Sequence, residues 1–246
     1  MENRLEMLSA LAPDFKIICL SNRKERCRKY AAVFEQNKEF LDRMVIYMCF
    51  YPDTPALESI YPIWRDAVKA AIACYQDGGK ILVCGNGGSA ADSEHIVGEL
   101  LKGFLKKRPL PLEVAAGMDA ELSARLQMGL PAVSLVSQSA IITAVANDLG
   151  ADLIFAQQVM GLGKPGDILI GISTSGNAKN VCQAFRAAKS KRMICIAMTG
   201  EADSEMSQLA DFTLKAPSKS TPEVQEYHIK LYHAFCAAIE SYFFDE

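Results

Sequence analysis

Histidine occurs only three times and tryptophan once in these 246 residues, and positive and negative charges nearly cancel at a net −3. So slight a charge gives no long-range attraction to nucleic acid or to an anionic membrane surface, and neither is expected as a partner. The longest apolar stretch, Met44 to Tyr51, falls far short of the ~20 residues a bilayer-crossing helix needs. The start, Met1-Glu2-Asn3-Arg4, opens no long apolar signal segment. Eight cysteines are scattered without a CxxC spacing, several inside apolar runs. Buried free thiols in a reducing cytoplasm are therefore expected rather than a disulfide framework. Two nucleotide signatures are also missing: there is no GxxxxGK[ST], and no GxGxxG with an acid about twenty residues on.

Against these absences stands one dense segment. Cys84-Gly85-Asn86-Gly87-Gly88-Ser89-Ala90-Ala91-Asp92 follows the apolar run Lys80-Ile81-Leu82-Val83 and precedes a helical pattern. It reads as strand, tight turn and helix start. Such a helix start presents unpaired backbone N–H groups and the positive end of the helix dipole. Gly87 and Gly88 admit close backbone approach, while Asn86 and Ser89 add side-chain hydrogen bonds. This is the chemistry of an anion site, and phosphate suits it. A second copy follows Asp167-Ile168-Leu169-Ile170-Gly171-Ile172, where Ser173-Thr174-Ser175-Gly176-Asn177 leads into another helix. An N-cap needs one hydroxyl, not three. With the nucleotide patterns missing, a phosphate on a small molecule is expected.

Elsewhere, short apolar strands are expected at 80–84, 131–136, 167–172, 193–198 and 211–215, alternating with helices at 89–105, 119–128, 138–148, 151–161, 177–190, 203–209 and 221–242. An amphipathic helix from Ala56 to Tyr75, stopped by Asp77-Gly78-Gly79, precedes them. The alternation predicts a parallel α/β sheet covered on both faces, with both loops at the carboxyl ends of their strands, where open sheets bind ligands. Half of the residues are hydrophobic, enough for one core of about 190 residues and an appendage. His95 and Glu99 stand four apart, on one face of the helix that starts in the first loop. Gln225 and His233 lie eight apart, two turns along one stripe of the last helix. A surface ion pair or a core histidine would use the same positions.

GNGGSAAD, His95-Ile96-Val97-Gly98-Glu99-Leu100, GISTSGN and Gln225-Glu226-Tyr227-His228-Ile229-Lys230-Leu231-Tyr232-His233, in that order, resemble the sugar isomerase (SIS) domain family, and within it the phosphoheptose isomerases. The likeness runs over roughly residues 55–243, with an insertion near 107–131. It implies a three-layer, flavodoxin-like α/β fold with a five-stranded parallel sheet, occupying 55–246. It further implies a cytoplasmic aldose-ketose isomerase converting sedoheptulose 7-phosphate to D-glycero-manno-heptose 7-phosphate, for surface polysaccharide or related glycans. By matching positions, His95, Glu99, Gln225 and His233 would hold zinc. Glu99 and His233 would also be the acid/base pair. Asn86, Gly87, Gly88, Ser89, Asn147, Asp148, Ser173, Thr174 and Ser175, with Glu99 and Gln225, would bind substrate. His228 falls on another part of the last helix and reads as structural. The family's tetramers with shared active sites imply a homotetramer here.

Two alternatives remain open at the level of sequence. One is a non-catalytic SIS-domain protein that binds the bacterial replication initiator or senses a phosphosugar. The other is an isomerase for a different phosphosugar, since Ala178 stands where the family usually has serine. Residues 1–54 form an extension, helical in its pattern, whose first 43 residues have no counterpart in the resemblance. Its mixed-charge run, Arg23 to Lys29, reads as a solvated helix face. A docking helix, a partner-binding arm and sequence upstream of a true start at Met44 or Met48 are all compatible with it, and a chain starting at Met44 is expected to fold and stay active.

Overall fold

The computed structural model of the chain describes residues 55–244, so the expectations for residues 1–54 lie outside it. A 3₁₀ turn, Pro55–Ile60, enters α1 (Tyr61–Gln76), with Pro62 in the first turn, where its missing N–H costs nothing. Five strands follow: β1 (Ile81–Gly85), β2 (Ala132–Ser134), β3 (Ile168–Ile172), β4 (Ile194–Thr199) and β5 (Phe212–Lys215). They form one all-parallel sheet in the order β2-β1-β3-β4-β5. Between them run α2 (Gly88–Leu101), α3 (Leu112–Ala115), α4 (Ala120–Arg125), α5 (Ser139–Asp148), α6 (Ile154–Leu162), α7 (Lys179–Ser190) and α8 (Glu205–Leu209). The long α9 (Thr221–Phe244) closes the fold.

Period-two alternation along buried strands sends side chains to both faces. Leu82, Cys84, Leu169, Cys195 and Ala197 meet Phe155, Val159, Val181, Phe185 and Met206 of α6, α7 and α8. Ile170, Ile196, Met198 and Leu214 meet Ile96 of α2 and Tyr232 and Phe235 of α9 on the other. Trp64 Nε1 donates to Leu231 O at 3.3 Å, tying α1 to α9. This is the three-layer α/β architecture that the alternation of elements predicts. The five described cysteines (Cys74, Cys84, Cys182, Cys195 and Cys236) are buried free thiols, and burial raises their pKa, that of Cys74 to about 11.

Several ends differ from expectation. α2 stops at Leu101 rather than 105, because the chain turns away at Gly103, where a Cβ would strike the Lys106 carbonyl. The backbone amides of Phe104, Leu105 and Lys106 instead donate to the Glu240 carboxylate at 2.7, 2.7 and 3.2 Å. The helix expected over 119–128 is one short segment, α4, capped by Asp119 accepting from Leu122 N. The segment expected at 151–161 opens as a 3₁₀ turn, Ala151–Leu153. No described helix is long and apolar enough to cross a membrane.

His228 is fully buried, and its Nε2 faces the Thr199 carbonyl at 3.2 Å while Nδ1 has no partner. Burial lowers its pKa from 6.5 to about 4, against the opposing hydrogen bond to the Thr199 carbonyl. In the unfolded chain this ring protonates near pH 6.5, so stability is complete above that pH and is lost as pH falls toward 4. The shift corresponds to about 3 kcal/mol. Denaturant midpoints measured from pH 7 to 4 should fall, and His228→Gln should flatten that slope. An equal slope in both proteins would assign the acid loss to other groups.

Candidate active site

Chain order reverses between β1 and β3: from β1 the chain crosses to β2 on one side, then returns to β3 on the other. Ligand crevices in open α/β sheets form at such a reversal, outside the carboxyl ends of the strands. Gly85 pairs with Ile172 at the ends of β1 and β3, so both glycine-containing loops leave the sheet side by side. Asn86 and Asn180 join them through two reciprocal amide hydrogen bonds, each 2.9 Å. Asn180, on the first turn of α7, was not singled out from sequence. Its neighbours, Ala178-Lys179 before it and Val181-Cys182 after it, carry no distinguishing local pattern.

The first loop places Gly87 at the N-cap of α2 with φ +57°, and Ser89 is buried in the first turn. Gly88 lies directly under the amide of Gln225, which a Cβ there would strike, so the last helix reaches over this loop. In the second loop, Ser173 is buried and its Oγ lies 3.5 Å from Ser175 Oγ. Ser175 Oγ accepts from Asn177 N at 3.2 Å, and the Thr174 carbonyl accepts from Gly200 N at 2.9 Å. Gly176 turns the loop with φ +66°, pressed against Ser204; a side chain there meets strain and collision together. Ala178 is the N-cap of α7 and makes no side-chain cap bond.

Next to these loops α2 and α9 bring three side chains to one point. His95 Nε2 lies 3.0 Å from Glu99 Oε1 and 3.4 Å from His233 Nε2. One ligand atom from each of the three falls within 4.8 Å of the others. His95 is exposed, while Glu99 and His233 are half-buried. The His95 and His233 rings meet edge to face, 4.9 Å between centroids, and Phe104 closes on His233 at 5.4 Å. Burial, and then the neighbouring His95, lower the His233 pKa against the pull of Glu99. Two ring nitrogens and a carboxylate oxygen at this spacing can share a proton or a cation.

Gln225 thus sits over the first loop, two turns before His233, and its described contact is with Gly88. Asn147 and Asp148 end α5, exposed and bonded to each other at 2.7 Å. No described hydrogen bond joins them to the histidine cluster.

A buried arginine stands behind the cluster. Arg108 donates through Nη1 to Leu100 O (2.6 Å) and through Nη2 to Glu99 O (2.8 Å). Through Nε it donates to Glu240 Oε1 (2.9 Å), and both side chains of this ion pair are fully buried. The last carbonyls of α2, left open by the helix, are thereby capped on the turn that carries Glu99.

The comparisons agree with this fold. The SIS domain model matches residues 62–127 and 134–243. The phosphoheptose isomerase of Burkholderia pseudomallei (strain K96243) is 43% identical over 176 residues, 72% of this chain and 80% of that protein. That of Aneurinibacillus thermoaerophilus is 38% identical over 187 residues, 76% of this chain and 85% of that protein. Among solved structures, the phosphoheptose isomerase from Francisella tularensis superposes with a TM-score of 0.64 at 31% identity, covering 87% of this chain and 97% of that one. The enzyme from Neisseria gonorrhoeae gives 0.62 at 33%, covering 87% and 98%. The chain belongs to the phosphoheptose isomerases of the SIS domain family.

Proposed function

We propose that this chain interconverts sedoheptulose 7-phosphate and D-glycero-manno-heptose 7-phosphate, an aldose-ketose isomerisation at the His95–Glu99–His233 cluster. The convergence of these three side chains beside two joined loops carries the reading. In it, the substrate phosphate lies on the 173–175 loop and the α7 start, and the sugar's reducing end lies at the cluster. Glu99 takes the proton from C1 and returns it to C2, while His233 passes the hydroxyl proton from O1 to O2. Proton count and charge are unchanged over the cycle, as isomerisation requires. A neutral imidazole suits the second task, because it can both accept and donate.

The donor set fits a divalent cation: two imidazole nitrogens and a carboxylate oxygen lie within 4.8 Å of one another. Imidazole and carboxylate suit zinc, and His95, Glu99 and His233 would hold it, with Gln225 the fourth candidate by resemblance. Bound there, a cation would stabilise charge developing on the sugar's carbonyl oxygen. Exposed apolar side chains on α3, α4 and α5 (Leu112, Leu122 and Ile141) support association into the family's tetramer. The reading places the enzyme in the cytoplasm.

Turnover across a panel of phosphorylated ketoses tests the assignment, with sedoheptulose 7-phosphate expected to be the preferred substrate and a chelator expected to reduce the rate. Ser175→Ala should raise KM and leave kcat nearly unchanged, because phosphate contacts exist in ground and transition states alike. An unchanged KM, or failure of inorganic phosphate to compete, would move the phosphate site elsewhere.

A further inference from the structure

His95 shows its two nitrogens to two different environments. Nε2 faces Glu99 and His233. Nδ1 lies 2.9 Å from the hydroxyl oxygen of Tyr232, which in turn donates to Asp92 Oδ1 at 3.2 Å. Asp92 is one helical turn before His95 on α2, and Tyr232 immediately precedes His233 on α9. Both side chains are buried, with 9% and 2% exposure.

A phenol carries one proton. In the structure it is donated to Asp92 Oδ1. The tyrosine oxygen then offers His95 nothing but lone pairs, and the bond between them forms only if Nδ1 carries the hydrogen. The neutral ring is left with a bare Nε2, aimed at Glu99 and His233. We propose that Asp92 and Tyr232 are positioning residues, a buried carboxylate–phenol–imidazole chain that holds His95 in the Nδ1-protonated tautomer with its Nε2 lone pair facing the cluster. Histidines that bind metal characteristically give their other nitrogen to such a partner, and this chain would ready His95 for the divalent cation of the reading above, on which that part of the inference rests.

Packing alone does not account for the two polar groups. The Tyr232 ring fills the core between α9 and the sheet beside Ile96, Ile170 and Phe235, a task phenylalanine performs equally well. Burial raises the pKa of Asp92, and the Tyr232 hydrogen bond and His95 only partly oppose it. A carboxylate held in so unfavourable a place is turned toward the one hydroxyl that reaches His95.

The test uses Tyr232→Phe, Asp92→Ala and Asp92→Asn in the full chain, with thermal melting as the folding control. With ¹⁵N-labelled histidine and no metal, at about pH 8 where free imidazole is neutral, His95 of the wild type should show the Nδ1–H tautomer. Tyr232→Phe and Asp92→Ala should shift it toward Nε2–H, whereas Asp92→Asn, whose amide oxygen still accepts from the phenol, should retain it. Zinc affinity from chelator competition should fall about 10–100-fold in the first two variants and recover in the third. An Nε2–H wild type, or a tautomer indifferent to Tyr232→Phe, would overturn the chain. A shifted tautomer with unchanged zinc affinity would overturn its role in readying His95 for metal. These readouts need no sugar substrate, so a wrong substrate assignment would leave them standing.

Discussion

Glu99→Gln should abolish isomerisation while leaving the fold in place. Glu99 is the only carboxylate in the His95–Glu99–His233 cluster, and its side chain pairs with the exposed His95, so an isosteric amide strands no buried charge. An amide cannot take a proton from carbon, and loss of a general base costs about 10²–10⁴-fold. The backbone carbonyl of residue 99, which Arg108 holds, is untouched by the change. Circular dichroism and melting temperature should therefore match wild type while kcat/KM for sedoheptulose 7-phosphate collapses. Near-normal turnover would remove Glu99 from the mechanism.

The largest expected effect on stability lies at Glu240. Its carboxylate accepts from three consecutive backbone amides, those of Phe104, Leu105 and Lys106, and from Arg108. Glu240→Ala strands a buried guanidinium and three amides together, and breaking a buried pair in this way costs about 3–5 kcal/mol. Arg108→Met should cost less, because the remaining carboxylate keeps three N–H donors. Urea unfolding of the two variants gives the comparison directly, and the reverse order would show that the arginine rather than the carboxylate organises this corner. Activity should fall with Glu240→Ala in the surviving folded fraction, since Phe104 packs on His233 and Arg108 holds the Glu99 turn.

How much of this was legible beforehand differs from element to element. The two loops at the strand ends could be read because their signal is local: glycines and hydroxyls crowd between an apolar run and a helical pattern. The His95/Glu99 pair was equally visible as an i, i+4 spacing, and His228 as off the active stripe. Arg108 could not be read, since Lys106-Lys107-Arg108-Pro109 has the look of a solvated loop. Its burial depends on Glu240, 132 residues later. The same distance effect hid Asp92 and Tyr232, and made α2 read four residues too long.

By itself, then, the sequence determined the alternation of strands and helices, the parallel sheet, the two loops and the residue types of the site, because periodicity, glycine placement and helical spacing are properties of neighbours along the chain. The tertiary structure alone decided that α2 and α9 meet so that His95, Glu99 and His233 converge, that Asn86 and Asn180 join the loops, and that Arg108 and Glu240 lie dry behind them. Those outcomes depend on which surfaces the packed layers bring together, and a buried charge or hydroxyl is stable only where a partner from a distant element arrives to satisfy it.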